Sequence, residues 1–100
     1  MTMMSRHDVI LDCLEDRICG YNRYHKVFRN LEYERGDLKG EIDLLAYDAK
    51  HGVWHMYEVK SSNRPARLIK AWEQYTRFCK AFPEYEVKGV FVSPNKTMRL

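Results

Sequence analysis

The chain lacks any apolar run approaching the ~18–20 residues that a membrane helix needs. Its opening, MTMMSRHD, has no apolar stretch of the kind that forms a signal peptide. Membrane insertion and secretion are therefore not expected, and an intracellular location is. Glycine (5) and proline (3) are too scarce for a fibrous or linker-like chain. Cysteine occurs three times, at 13, 19 and 79, an odd count with no CxxC pair. This spacing fits neither a zinc site nor a disulfide framework, so buried reduced thiols are expected. Repeats and low-complexity tracts are also absent. What remains is a 100-residue chain, 45% hydrophobic and 31% charged. That is an ordinary globular mix, with length for one domain over 1–100 and not for two cores.

Charge is unevenly placed. Residues 1–58 carry 8 Lys/Arg against 11 Asp/Glu, whereas 59–100 carry 9 against 3. An acidic and a basic half folded together set carboxylates beside a cationic surface. A metal-dependent enzyme acting on a polyphosphate backbone needs that combination.

Residues 5–19 read as a helix, with Ser5 as N-cap, an apolar stripe of Val9, Ile10, Cys13, Leu14 and Ile18, and Gly20 at C′. Strands follow over 23–33, 41–48 and 53–60, separated by turns at 35–40 and 50–52. A long helix over 65–81 opens at Pro65 and is stopped by Pro83, and a last, internal strand covers 86–92. The expected order is α-β-β-β-α-β. The right-handed crossover would set the last strand parallel to the third, giving an α/β domain with a central mixed sheet flanked by helices.

The chemistry gathers in Gly40-Glu41-Ile42-Asp43 and Glu58-Val59-Lys60. Strand alternation places Glu41 and Asp43 on one face, with Ile42 and Leu44 on the other. It also groups Glu58 and Lys60 with Trp54 and Met56. Across a hairpin, Asp43 would meet Glu58 and Lys60. Two close carboxylates repel each other, and a divalent metal removes that cost. Oxygen donors suit Mg²⁺ or Mn²⁺ rather than zinc, and the Val59 carbonyl is a natural extra ligand. Lys60 could orient a metal-activated water or stabilise charge on the phosphate.

Asp43 followed by Glu58-x-Lys60 resembles the motif of the PD-(D/E)XK nuclease superfamily, with Ile42 where the naming proline stands. Gly40 matches the G-x-x-D form of RecB-type nucleases, and Gln74 with Phe78 resembles their Q-x-x-x-aromatic motif. The run GEIDLLAYD…YEVKSS is similar to archaeal Holliday-junction resolvases, and the likeness extends over about residues 8–92. The resemblance implies a restriction-endonuclease-like core and DNA cleavage with Mg²⁺. Asp43, Glu58, Lys60 and Gln74 would be catalytic. It also implies a further acid from the first helix. Asp8, Asp12 and Glu15 share a face there, with Glu15 or Asp12 preferred and Glu32 and Glu34 as rivals from the first strand.

Around this centre, Ser61 and Ser62 stand near a helix start, where amides suit phosphate, and Ser62 is equally a candidate cap. Arg64 adjoins them. Arg67, Lys70, Gln74 and Arg77 form one helical stripe that could track phosphates. The small size leaves no accessory reading domain, so a structure-selective endonuclease is expected. A junction-cutting enzyme should be a two-fold homodimer, with Phe91, Met98 and Leu100 as candidate surface. The alternatives are a catalytically weak nucleic-acid-binding module and a subunit needing a partner protein. GEID and EVK as plain edge-strand charges is the reading without a site.

Overall fold

The computed structural model describes residues 4–100, so the first three residues of the opening read above lie outside it. Helix α1 spans Arg6–Cys19, and the Ser5 hydroxyl accepts the Asp8 amide at 3.1 Å as its N-cap. Its buried face is Leu11, Leu14 and Ile18. The expected stripe is thus displaced: Val9 is exposed, and so are Cys13 and Cys19, with Cys79 half-buried. The thiols are free but not the buried set expected. Gly20 stays right-handed (φ −76°), so α1 ends without the left-handed cap.

Strand β1 (Lys26–Arg35) turns into β2 (Leu38–Asp48) through Gly36-Asp37, with Gly36 at φ 61°. One left-handed glycine makes the turn short, and β2 therefore starts earlier than the composition of 35–40 suggests. Gly40 lies inside β2 opposite Tyr33, where a Cβ would stand 2.9 Å from the Tyr33 hydroxyl oxygen. Strand β3 (Val53–Val59) follows a turn in which Gly52 takes φ 66°. That turn is tied by buried Asp48, whose Oδ1 accepts the His51 amide at 3.2 Å. Its Oδ2 accepts His51 Nδ1 at 2.8 Å and Arg23 Nε at 3.1 Å. Burial works to raise the Asp48 carboxyl, and these bonds to His51 and Arg23 outweigh it, holding the group at about 2. Asp48→Asn is expected to lower the melting temperature at pH 7 by roughly 5 °C. The difference should shrink as acid protonates the wild-type carboxyl below its ordinary range, which a pH series of melts would check.

Helix α2 (Pro65–Ala81) returns the chain to β4 (Glu86–Ser93), parallel to β3. A fifth strand, β5 (Lys96–Arg99), then folds back antiparallel on β4. It was not expected, because Lys-Thr-Met-Arg shows little apolar alternation. The sheet order is β1-β2-β3-β4-β5, five strands in a mixed sheet. Each face is buried by one helix. Leu11, Leu14 and Ile18 of α1 pack on Leu44, Ala46, Tyr57, Val59 and Val92. Phe78 of α2 packs with Ile42, Leu45, Met56 and Val87. Gly89 lies under the Tyr75 ring, whose hydroxyl donates to the Val87 carbonyl at 2.8 Å. A Cβ on Gly89 would come within 2.7 Å of that ring. Gly89→Ala should therefore cost about 1–3 kcal/mol through overpacking, read as a lower denaturation midpoint with an unchanged m-value. No helix among the described residues is long and apolar enough to cross a membrane.

Candidate active site where β2 and β3 separate

Strand β2 changes its facing at one point. Ile42 and Leu45 belong to the α2 side, whereas Leu44 and Ala46 belong to the α1 side. Strict alternation would have put Ile42 with Leu44. The β1–β2 ladder skips the pair Asn30–Asp43, and Asn30 sits at φ 51°. This local break removes Asp43 from the regular pleat. The expectation that Ile42 and Leu44 point the same way is thus corrected.

The β2–β3 ladder runs from Asp48↔Val53 to Leu44↔Tyr57 and stops. Continued by one step, the register would set Asp43 opposite Glu58. Instead the strands part, and Asp43 Oδ2 accepts the Val59 amide at 2.9 Å, as a carbonyl would in a continuing ladder. Asp43 Oδ1 lies 3.3 Å from His7 Nε2. Beside it, Glu58 is wholly buried, and neither of its carboxyl oxygens has a hydrogen-bond partner. Burial pushes this carboxyl up most, the Asp43 charge pushes it further, and Lys60 opposes both, leaving it at about 8. Lys60 is half-buried and donates from Nζ to Gln74 Oε1 at 2.8 Å across to α2. Asp43, Glu58, Lys60 and Gln74 therefore come to one corner, with Val59 between the two elements of its motif.

Other candidates stand elsewhere. Asp12 Oδ1 and Glu15 Oε1 both take Arg29 Nη1, at 2.5 and 3.2 Å. The α1 residue that reaches Asp43 is His7, not either of these acids. Glu32, Glu34 and Glu41 are exposed. Ser62 does not cap α2: the N-cap is Arg64, without a side-chain bond, and Pro65 follows it. Ser61 and Ser62 are half-buried, while Arg64, Arg67, Lys70 and Arg77 are exposed. Phe78 is a buried core residue facing Tyr33 edge-on. His7 was missed because it lies close to the chain start. Its signal was nonetheless present: it precedes Leu11, Leu14 and Ile18 by four, seven and eleven positions, on the face turned to the sheet.

Among the described residues, no group of three or more His, Cys, Asp or Glu side chains is arranged to hold a metal. The pair Asp43–Glu58 nevertheless suits a hard cation. Mg²⁺ commonly takes one or two carboxylates and fills its shell with water and phosphate oxygens. Glu58 contributes two buried carboxyl oxygens without a hydrogen-bond partner.

Comparison with known proteins leaves the assignment at the level of fold. No family model and no curated protein matches the chain. Among solved structures it is similar to the crystal structure of SSO0001, with a TM-score of 0.54 and 16% sequence identity. The match covers 93% of this chain and 47% of that one, so the chain spans about half the length of that structure. What the two share is an architecture, here an α/β arrangement of a five-stranded mixed sheet with one helix on each face.

Proposed function

We propose that this corner hydrolyses phosphodiester bonds in DNA with Mg²⁺ or Mn²⁺, as an endonuclease of the PD-(D/E)XK kind built on a restriction-endonuclease-like core. The observation that carries the reading is Glu58: a wholly buried carboxyl group with two unpartnered oxygens, beside Asp43 and Lys60. Such a group is costly to keep without a cation to meet it. Asp43 and Glu58 would hold the metal, with the Val59 carbonyl as a further donor. A divalent ion bound there supplies Lewis-acid activation of water and neutralises charge at the scissile phosphate. Lys60 stabilises the negative charge that builds on the phosphate, and Gln74 fixes the direction of its ammonium. Asp43 is itself steadied by the Val59 amide and by His7. Exposed Arg64, Arg67 and Lys70, at the start of α2, extend a cationic surface from the site along which a phosphate backbone would lie, with Ser61 and Ser62 at its inner end.

The substrate favoured is a branched duplex, and symmetric cutting of a junction requires a two-fold dimer. Phe91 cannot supply its surface, being only 1% exposed in the core. Met98 and Leu100 line an apolar groove with Leu68, Ile69 and Trp72, where a second subunit would sit. Binding without efficient cleavage is the second reading. It rests on α1 bringing His7, rather than a carboxylate, to Asp43.

The test is cleavage of a labelled four-way junction beside linear, flap and single-stranded controls, in Mg²⁺, Mn²⁺ or EDTA. The proposal expects metal-dependent cutting of the junction that Asp43→Asn abolishes. Cutting of the other substrates alone removes the junction preference and keeps the chemistry. Binding without cutting under either metal moves the assignment to the second reading.

A further inference from the structure

Helix α1 does not cover its sheet face to the end. On β4, Lys88 and Val90 continue the row of Val92, and on β5 Arg99 and Thr97 stand opposite Val90 and Val92. His55 of β3 stands opposite Lys88. With Arg23 from the α1–β1 connection, these residues line an open cavity of about 340 Å³. Three cationic side chains therefore line one cavity, and the Asp48 carboxylate beside Arg23 is already shared with His51. Neither Lys88 nor Arg99 has an ionic partner among the described residues. Like charges lining one cavity repel, and a bound anion relieves them.

The floor of the cavity supplies a second, independent observation. His55 is 8% exposed, and its Nε2 is buried without a hydrogen-bond partner. Its Nδ1 lies 3.0 Å from the Tyr24 hydroxyl, which lies 2.7 Å from the Tyr57 hydroxyl. Were Nε2 an acceptor, the surrounding Arg and Lys donors would be expected to take it, and none does. The arrangement consistent with this has Tyr57 donating to Tyr24 and Tyr24 donating to Nδ1, which leaves the ring proton on Nε2. Burial first, and then the charges of Arg23, Lys88 and Arg99, hold the imidazole pKa down and so keep the ring neutral. A directed N–H donor with nothing to bond thus sits among three cations.

We propose that this cavity binds a phosphoryl oxyanion. Arg23, Lys88 and Arg99 supply charge, and the His55 Nε2–H and the Thr97 hydroxyl supply directed hydrogen bonds. The ligand is either a free phosphate-bearing molecule or the backbone of a nucleic-acid strand. The site lies about 10 Å along β3 from Glu58, on the α1 face, whereas Lys60 reaches Gln74 on the α2 face. It does not depend on the reading given to Asp43 and Glu58.

The experiment is an NMR titration following the imidazole ¹⁵N signals of His55, in EDTA so that no metal contributes. Inorganic phosphate and a short single-stranded oligonucleotide are added in separate arms. The expected result is a saturable shift of the Nε2 signal, with apparent affinity at least about tenfold weaker in Arg99→Gln and in Lys88→Ala/Arg99→Gln. Asp43→Asn should behave as wild type, which separates this site from the metal corner. A response to inorganic phosphate identifies a free phosphate-bearing ligand, and a response to the oligonucleotide alone identifies a strand. A His55 signal unmoved in both arms, or moved equally in the variants, overturns the proposal.

Discussion

Lys60→Ala is expected to lower metal-dependent strand cleavage by about a hundred- to a thousandfold, the usual cost of removing one well-placed transition-state donor. The melting temperature should change little. Lys60 lies at the end of β3, half-buried, and its side-chain bond runs to Gln74, so no core contact is lost with it. Its loss has a second effect. The ammonium is the one neighbour that opposes burial and Asp43 in raising the Glu58 carboxyl. Without it Glu58 holds its proton more tightly, and the metal concentration needed for half-maximal activity should rise near neutral pH. Gln74→Ala leaves the charge and removes only its direction, so a loss nearer tenfold is expected, without the change in metal requirement. Initial rates across a Mg²⁺ series for the three proteins separate the two effects. Equal rates for Lys60→Ala and wild type would remove Lys60 from the chemistry.

Glu58→Gln should remove the pH dependence of stability that the buried carboxyl imposes. In the folded chain this carboxyl titrates at about 8, against an unfolded value near 4.5. The folded state therefore binds the extra proton between those values. The stability linked to that proton is fully present below about 4.5 and is lost as pH rises through 8. The loss is on the order of a few kcal/mol, or roughly 20 °C in melting temperature for a chain this size. Glutamine at 58 carries no such slope. Its amide lacks partners at every pH, so the informative quantity is the difference between pH 5 and pH 8.5, not either value alone. Wild type should lose stability over that interval and the variant should not. At pH 8.5, Mg²⁺ or Mn²⁺ should restore wild type and leave the variant unmoved. Parallel pH profiles for the two proteins would count against both the buried charge and the metal it is proposed to hold.

Much of this arrangement could be read from the residues alone, and the failures have specific causes. Helix α2 begins and ends where Pro65 and Pro83 place it, because both residues act locally on the backbone. The parallel β3–β4 pairing followed from its crossover. The face of α1 was read correctly at Leu14 and Ile18 and misread at its edge, where Val9 and Cys13 were expected in place of Leu11, because the apolar residues span a wide arc and only the sheet chooses among them. With that edge shifted, the Cys13 and Cys19 thiols went to the surface and His7 went to Asp43. At the site, the types and spacing of Asp43, Glu58, Lys60 and Gln74 were legible. The way they meet was not. It depends on Asn30 adopting a left-handed φ and on a ladder that ends one pair early, neither of which leaves a mark in the hydrophobic pattern.

The neighbour order β1-β2-β3-β4-β5 has a kinetic consequence. Each strand pairs with the one just before it in the chain, and three of the four pairings close through tight turns. Only the β3–β4 pairing must wait for an intervening helix. Chain-closure entropy thus concentrates in a single event, the docking of α2 and the return of β4 to β3. That same event brings Gln74 to Lys60 and the Lys60 amide to the Val92 carbonyl. The slowest collapse of the chain and the meeting of Lys60 with Gln74 are therefore one step.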